Sequence, residues 1–227
     1  MIELKPRAEA SVFWTYASPV LALLLTVCIG LGIFVALGKD PIQGLLVFFW
    51  EPIKSTYALS ELLVKATPLL LIALGLAVCF RSNVWNIGAE GQYVMGAVAA
   101  GGMALTADAT STGWMVPAVL LAGVAGGMFW AGIVAFLRDR FNANEILVSL
   151  MLVYVAIQLL QYVVYGPWKD PNGYNFPQTK TFDAVTKVPR LLDGSRVTIG
   201  LLLALIGAGA VWVYLYRTRA GFAQQVG

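Results

Sequence analysis

Long apolar runs, broken at a few points by short polar clusters, set the pattern along this chain. At about 1.5 Å of rise per residue, a helix of roughly twenty residues crosses a hydrocarbon core of about 30 Å. Six runs qualify or nearly qualify: residues 19–38, 59–80, 93–108, 114–137, 146–166 and 198–216. The pattern predicts an all-α fold, a polytopic membrane helix bundle with about six transmembrane helices. The run at 93–108 is short, so a re-entrant hairpin competes with a full span there. Basic residues decide between the two, because Lys and Arg concentrate in short cytoplasmic loops. If every run spans and the N-terminus is inside, Lys5, Arg7, Arg81, Arg138, Arg140, Arg217 and Arg219 all face the cytoplasm. A hairpin would send Arg138 and Arg140 outside, so the spanning arrangement is expected. It leaves residues 41–56 outside as an interfacial helix, and residues 167–197 as a long extracytoplasmic connection rich in turn residues. The first run is too long for a signal-peptide core and reads as a retained span.

The sharpest break is Arg-Ser-Asn-Val-Trp-Asn-Ile-Gly-Ala-Glu-Gly-Gln at 81–92, a broken or tightly turned segment between two apolar runs. Gly88 and Gly91 permit close approaches or dihedral angles that other residues resist. Asn83, Asn86, Glu90 and Gln92 supply donors and acceptors for a polar solute, while Trp85 and Tyr93 offer aromatic faces. Two readings stay open. The segment is a substrate pathway or gate built from Asn83, Trp85, Asn86, Glu90, Gln92 and Tyr93, as broken helices are in many transporters. Alternatively, it is a cytoplasmic turn that joins two helices.

A second cluster, Arg138-Asp-Arg-Phe-Asn-Ala-Asn-Glu145, has the composition of a helix start: Asn144 as cap and Glu145 at the positive end of the helix dipole. The alternative to capping and inside anchoring is a cytoplasmic coupling contact by Asn144 and Glu145. Arg217 and Arg219 close the last run, where basic side chains anchor the inner interface. Small residues at helical spacing, such as Gly96 with Ala100 and Gly123 with Gly127, suit close helix packing.

Composition narrows the chemistry. At 59% hydrophobic and 12% charged residues, with a mean hydropathy of +0.77, the chain cannot cover itself with polar surface. Its basic residues are scattered, so nucleic acid is not an expected partner. Histidine is absent and the two cysteines, Cys28 and Cys79, sit in apolar runs, so no metal site or histidine-based catalysis is expected. No G-x-x-x-x-G-K-[ST] phosphate loop occurs, and any ATP hydrolysis belongs to another chain. An intramembrane enzyme is disfavoured, because no nucleophile–base pair or carboxylate pair stands at usable spacing.

Asn86-Ile-Gly-x-Glu90-Gly-Gln92 after an apolar helix, then Asn-x-Asn-Glu145, then Arg217-Thr-Arg-x-Gly together resemble the permeases of ABC importers that serve branched-chain amino acids, simple sugars and purine nucleosides. The resemblance runs from about Leu59 to Gly227 and is greatest to the nucleoside branch, often described as simple-sugar permeases. It implies that residues 1–227 form a single transmembrane permease domain, the N-terminal part of a longer permease that continues with an ATPase-docking helix. It implies no cofactor in this chain, with ATP and Mg bound by a cytoplasmic ABC ATPase. The further implied partners are a second permease in a heterodimer, an extracytoplasmic solute-binding protein or lipoprotein, and membrane lipid. The place is the bacterial inner membrane. The competing expectation is an ion-coupled secondary transporter using Glu90 as its proton or sodium site.

Overall fold

The computed structural model describes residues 11–108, 111–174, 176–191 and 194–226, so Lys5 and Arg7 lie outside the described residues. The chain divides into two compact units, Met1–Leu62 and Leu63–Gly227. Among the described residues there is no β-strand, only two isolated bridges, Lys169 with Thr179 and Arg190 with Thr198. The all-α expectation holds.

The first unit is built on α1 (Val12–Ala36), a 25-residue helix without a charged side chain. After a turn, Asp40 starts α2 (Pro41–Leu45): its Oδ1 accepts the N–H groups of Ile42 at 2.8 Å and Gln43 at 3.2 Å. Pro41 fits the first helical position because its missing N–H would have had no partner there. The chain continues through a wide π turn, Leu46–Trp50, and a 3-10 turn, Glu51–Ile53. Residues 41–56 are thus largely helical, with Phe48, Phe49 and Trp50 exposed as an interfacial segment requires. Helix α3 (Thr56–Arg81) carries the chain onward into the second unit and runs unbroken through Pro68.

The second unit continues with α4 (Ala89–Leu105), α5 (Met115–Phe141), α6 (Glu145–Tyr165), α7 (Gly200–Arg217) and the short α8 (Arg219–Val226). Its centre is α4 against α5 and α6. Glycine makes that contact possible. A Cβ on Gly126 would stand 2.5 Å from the Ala99 Cβ and 2.9 Å from the Met95 carbonyl; one on Gly96 would stand 3.0 Å from the Gly123 carbonyl. Without a hydrophobic driving force between helices in lipid, such backbone approach supplies the dispersion contact that holds them. Elsewhere, Gly207 rests on Leu71 and Leu74 of α3, whereas Gly30, Gly32 and Gly209 face open space.

Among the described residues five helices, α1, α3, α5, α6 and α7, are long and apolar enough to cross a membrane. Large apolar side chains such as Leu121, Phe129 and Met151 stand exposed on them, which suits a lipid solvent rather than water. The expected sixth run is α4, one continuous 17-residue helix rather than a hairpin, about 25 Å long at the usual rise. It starts at Ala89 instead of Tyr93, because Glu90 fits the positive end of the helix dipole and is accepted in the first turn.

The connection from α6 to α7 folds against the far end of α4, where the Trp168 ring lies within 3.3 Å of a Cβ position on Gly102. It includes a 3-10 turn, Ala184–Thr186, and buries Ser195 and Val197. Two glycine substitutions on α5 should separate packing from propensity. Gly126→Ala forces α4 and α5 apart and should cost about 1–3 kcal/mol. Gly132→Ala, with nothing within 4 Å, should stabilise by up to about 1 kcal/mol through helix propensity. Thermal unfolding of the two variants in detergent checks that opposition of sign.

Candidate functional site

The interruption expected at 81–92 is narrower than its composition suggested: residues 82–88 leave the helix, and α4 takes the rest. Asn83 ends α3. It adopts the left-handed conformation, φ 52°, which asparagine tolerates better than most residues, and lets the Val84 N–H reach back to the Cys79 carbonyl at 3.0 Å. The Trp85 indole N–H donates to Asn83 Oδ1 at 3.3 Å and its ring tilts onto Phe80, so these groups brace the turn from outside.

Asn86 closes the turn. Its Oδ1 accepts the Gly88 N–H at 2.9 Å, serving the α4 start that Gly88 has no side chain to cap. Asn86 Nδ2 also donates to Gln92 Oε1 at 3.2 Å, while Gln92 Nε2 donates to Asn86 Oδ1 at 3.3 Å. The two amides form a reciprocal pair across the first turn. Gly88 and Gly91 serve a different end, since both press backbone to backbone on α6. A Cβ on Gly88 would meet the Ser149 carbonyl at 2.7 Å, and one on Gly91 the Val153 Cα at 3.0 Å. Ser149, almost fully buried, completes the seat by accepting the Ile87 N–H on its Oγ at 3.3 Å. Ser149 was not among the site residues expected from the sequence, where its neighbours in the helix are apolar.

The second cluster is a helix–helix corner. Asn142 takes the left-handed conformation after α5, φ 52°, and Asn144 caps α6, its Oδ1 accepting the Ile146 and Leu147 N–H groups at 3.0 and 3.3 Å. Arg138 Nη1 lies 3.2 Å from Glu145 Oε1, with the Glu145 side chain 19% exposed. The capping expectation holds. In the third cluster the Arg217 guanidinium lies over the Trp212 ring at 5.8 Å, and Arg219 opens α8. Thr218 makes that corner: its Oγ1 donates to the Tyr214 carbonyl at 2.7 Å and accepts the Gly221 N–H at 3.1 Å. An Arg81 Nη2 donates to the Tyr216 hydroxyl at 2.6 Å, with the guanidinium over the ring, so the ends of α3 and α7 meet. All three polar clusters therefore gather at one end of the second unit.

Three cavities follow one face of α3 towards that end. One of about 260 Å³ is lined by Thr67, Pro68, Leu71, Tyr93, Arg196 and Thr198. The next, about 470 Å³, shares Pro68, Leu71 and Tyr93 with it and continues past Gly75 and Cys79 to Asn86 and Gln92. The third, about 580 Å³, shares Cys79, Asn86, Gln92 and Ala131 with the second and opens onto Arg138, Asp139, Asn142 and Glu145. The amide pair thus belongs to the common wall of a mostly apolar cavity and a charged one. Of the residues expected in a pathway, Asn86, Gln92 and Tyr93 line these cavities. Asn83, Trp85 and Glu90 do not, and Glu90 stands exposed on the outer side of α4. Asn144, Arg217 and Arg219 also lie outside the lining. Among the described residues no three His, Cys, Asp or Glu side chains group to hold a metal ion.

A family model described as branched-chain amino acid transport system / permease component matches residues 58–226. The chain belongs to that permease family. Relatives include the glucose ABC transporter permease protein TsgB13 of Haloferax volcanii, 37% identical over 97% of this chain and 60% of its own length. The guanosine ABC transporter permease protein NupP of Bacillus subtilis is 28% identical over 90% of this chain and 59% of its own. The nucleoside ABC transporter permease protein NupB of Lactococcus lactis is 26% identical over 90% of this chain and 58% of its own. This permease chain thus spans about 60% of the length of these curated relatives. No solved structure matches it. These relatives favour the ATP-driven reading and lend nothing to an ion-coupled one.

The amide pair is open to a double-mutant cycle. Asn86→Ala should cost about 1–2 kcal/mol, because it strips the α4 cap as well as the pair, and Gln92→Ala less. Their coupling energy, measured by denaturation in detergent, should be about 1 kcal/mol.

Proposed function

We propose that this chain belongs to the permease subunit of an ABC importer and lines the route of a small polar solute, a simple sugar or a nucleoside. One observation carries the reading: the three cavities follow one another along α3 and end at the charged corner of Arg138, Asp139 and Glu145. The solute would pass along the α3 face, with Tyr93 offering a stacking surface and the Asn86–Gln92 pair acting as the gate between the apolar and charged cavities. Both amides can exchange their mutual bonds for bonds to a hydroxyl or a nucleobase. The three names among its relatives, glucose, guanosine and nucleoside, support this solute class.

In this reading residues 1–227 are one transmembrane permease domain in the cell inner membrane, N-terminus cytoplasmic, and the basic end is the cytoplasmic one. Residues 167–197 are then the extracytoplasmic connection that meets a solute-binding protein or lipoprotein. The Asn144–Glu145 corner, Arg217, Arg219 and α8 would face the cytoplasmic ATPase, which binds ATP and Mg, and a second permease would complete the route as a heterodimer. Asn83, Trp85 and Glu90 support the gate from the turn without touching the solute.

Reconstitution with a cognate ATPase and binding protein tests this. Labelled glucose or guanosine should accumulate only with ATP; uptake driven by an ion gradient alone would sink the reading. Cys79 lies in the wall shared by the central and charged cavities, and Cys28→Ser leaves it as the chain's single thiol. Transported solute should slow maleimide labelling of Cys79 severalfold, and equal labelling with and without solute would remove the α3 face from the route.

A further inference from the structure

The first unit has a pocket of its own, at the corner between α1 and α2. The chain turns there through Gly38, φ 67°. Phe34, near the end of α1, lays its ring on Gly44 of α2, where a Cβ would stand 2.8 Å from the ring atoms. Beyond that contact α2 passes into the wide π turn, Leu46–Trp50, an irregularity that recurs in helices at functional sites. The result is a cavity of about 530 Å³ with apolar walls from Phe34, Val47, Phe48 and Pro52. Its size falls within the roughly 300–1,000 Å³ of small-molecule pockets. Lys39 and Asp40 line it at the turn.

The charges decide what fits. Of the four charged side chains on residues 39–54, Glu51 and Lys54 pair with each other, which leaves Lys39 and Asp40. Among the described residues the Lys39 ammonium has no ion pair and no side-chain hydrogen bond. Asp40 spends one carboxylate oxygen, Oδ1, on capping α2, and that cap does not use the other. The pocket therefore offers a cation and an anion side by side, above an apolar wall. An anionic ligand would meet Asp40 as repulsion, and a cationic one would meet Lys39. A zwitterion with a long apolar part matches both charges and the wall. Depth points the same way. Helix α1 is uncharged and apolar enough to cross a bilayer, while the exposed Phe48, Phe49 and Trp50 suit its interface, the level at which lipid headgroups lie.

We infer that the corner of α1 and α2 binds one molecule of phosphatidylethanolamine. The Lys39 ammonium donates to the lipid phosphate, the lipid's primary ammonium donates to Asp40, and the start of an acyl chain lies along Phe34, Val47 and Phe48. Phosphatidylcholine carries the same charges, but its quaternary ammonium has no N–H to give. Phosphatidylglycerol brings a net negative charge to Asp40. The site concerns the lipid around the permease and is independent of the solute carried.

The test is photolabelling of the full chain in nanodiscs by phosphatidylethanolamine with a diazirine in its acyl chain, mapped by mass spectrometry of peptides. Label should appear within residues 34–52. Unlabelled phosphatidylethanolamine should compete there about tenfold better than phosphatidylcholine or phosphatidylglycerol, as one charge-assisted hydrogen bond allows. Asp40→Asn, which keeps the cap of α2, should abolish the preference over phosphatidylcholine, and Lys39→Gln should weaken labelling severalfold. Val47→Trp, which fills the apolar part and keeps both charges, should remove label from the corner and leave it unchanged elsewhere on the chain. Equal competition by the three lipids would make the label that of a bulk lipid annulus and overturn the site, as would an Asp40→Asn variant that still prefers phosphatidylethanolamine. Absence of label from residues 34–52 would overturn it too, and would mean that protein covers the corner.

Discussion

Everything in the second unit depends on how closely α4 can approach its neighbours. In lipid no water is released when two apolar helices meet, so association rests on dispersion and on backbones near enough to use it. Here glycines do this on two sides of one helix: Gly96 and Gly126 at the α5 contact, Gly88 and Gly91 at the α6 contact. The Ser149 hydroxyl adds a hydrogen bond at the α6 seat. A rigid three-helix block results, and the polar turn at its base is fixed by it.

Helix α3 is held differently. It touches α7 through Gly207 and is tied at its end by Arg81 to Tyr216, while cavities lie between it and the α4–α5 pair. Packing is therefore uneven: tight where glycines meet, open along one face of α3. Low packing density next to a rigid block is where a helix has freedom to move, because few contacts must break at once. The proposed route runs along that seam.

The sequence was most informative where polar residues had to be explained and least where everything was apolar. Asn86, Gly88, Gly91 and Gln92 stood out because amides and glycines are out of place between hydrophobic runs, and each has a defined task in the turn. Loop charge also worked: Arg81, Arg138 and Arg217 do gather at one end of the unit. Glu90 stood out equally and yet faces away from the cavities, since the phase of a helix cannot be read when nearly all its other positions are apolar. For the same reason the lining face of α3, from Thr67 through Leu71 and Gly75 to Cys79, could not be told from faces turned to lipid. Arg196 and Thr198 were hidden for another cause: they lie in a long connection whose path back to α3 is set by tertiary contacts such as Trp168 on Gly102.

The Asn86–Gln92 pair is made of two neutral amides. Opening it separates no charges and moves none along the membrane normal, so the transmembrane potential, worth about 2.3 kcal/mol per elementary charge per 100 mV, has nothing to pull on. Neither amide titrates, and a neutral pair is little affected by ionic screening. A contact of this kind is insensitive to voltage, proton concentration and salt, and responds only to forces transmitted through the helices that carry it. That is the electrical behaviour expected of a part that is driven mechanically.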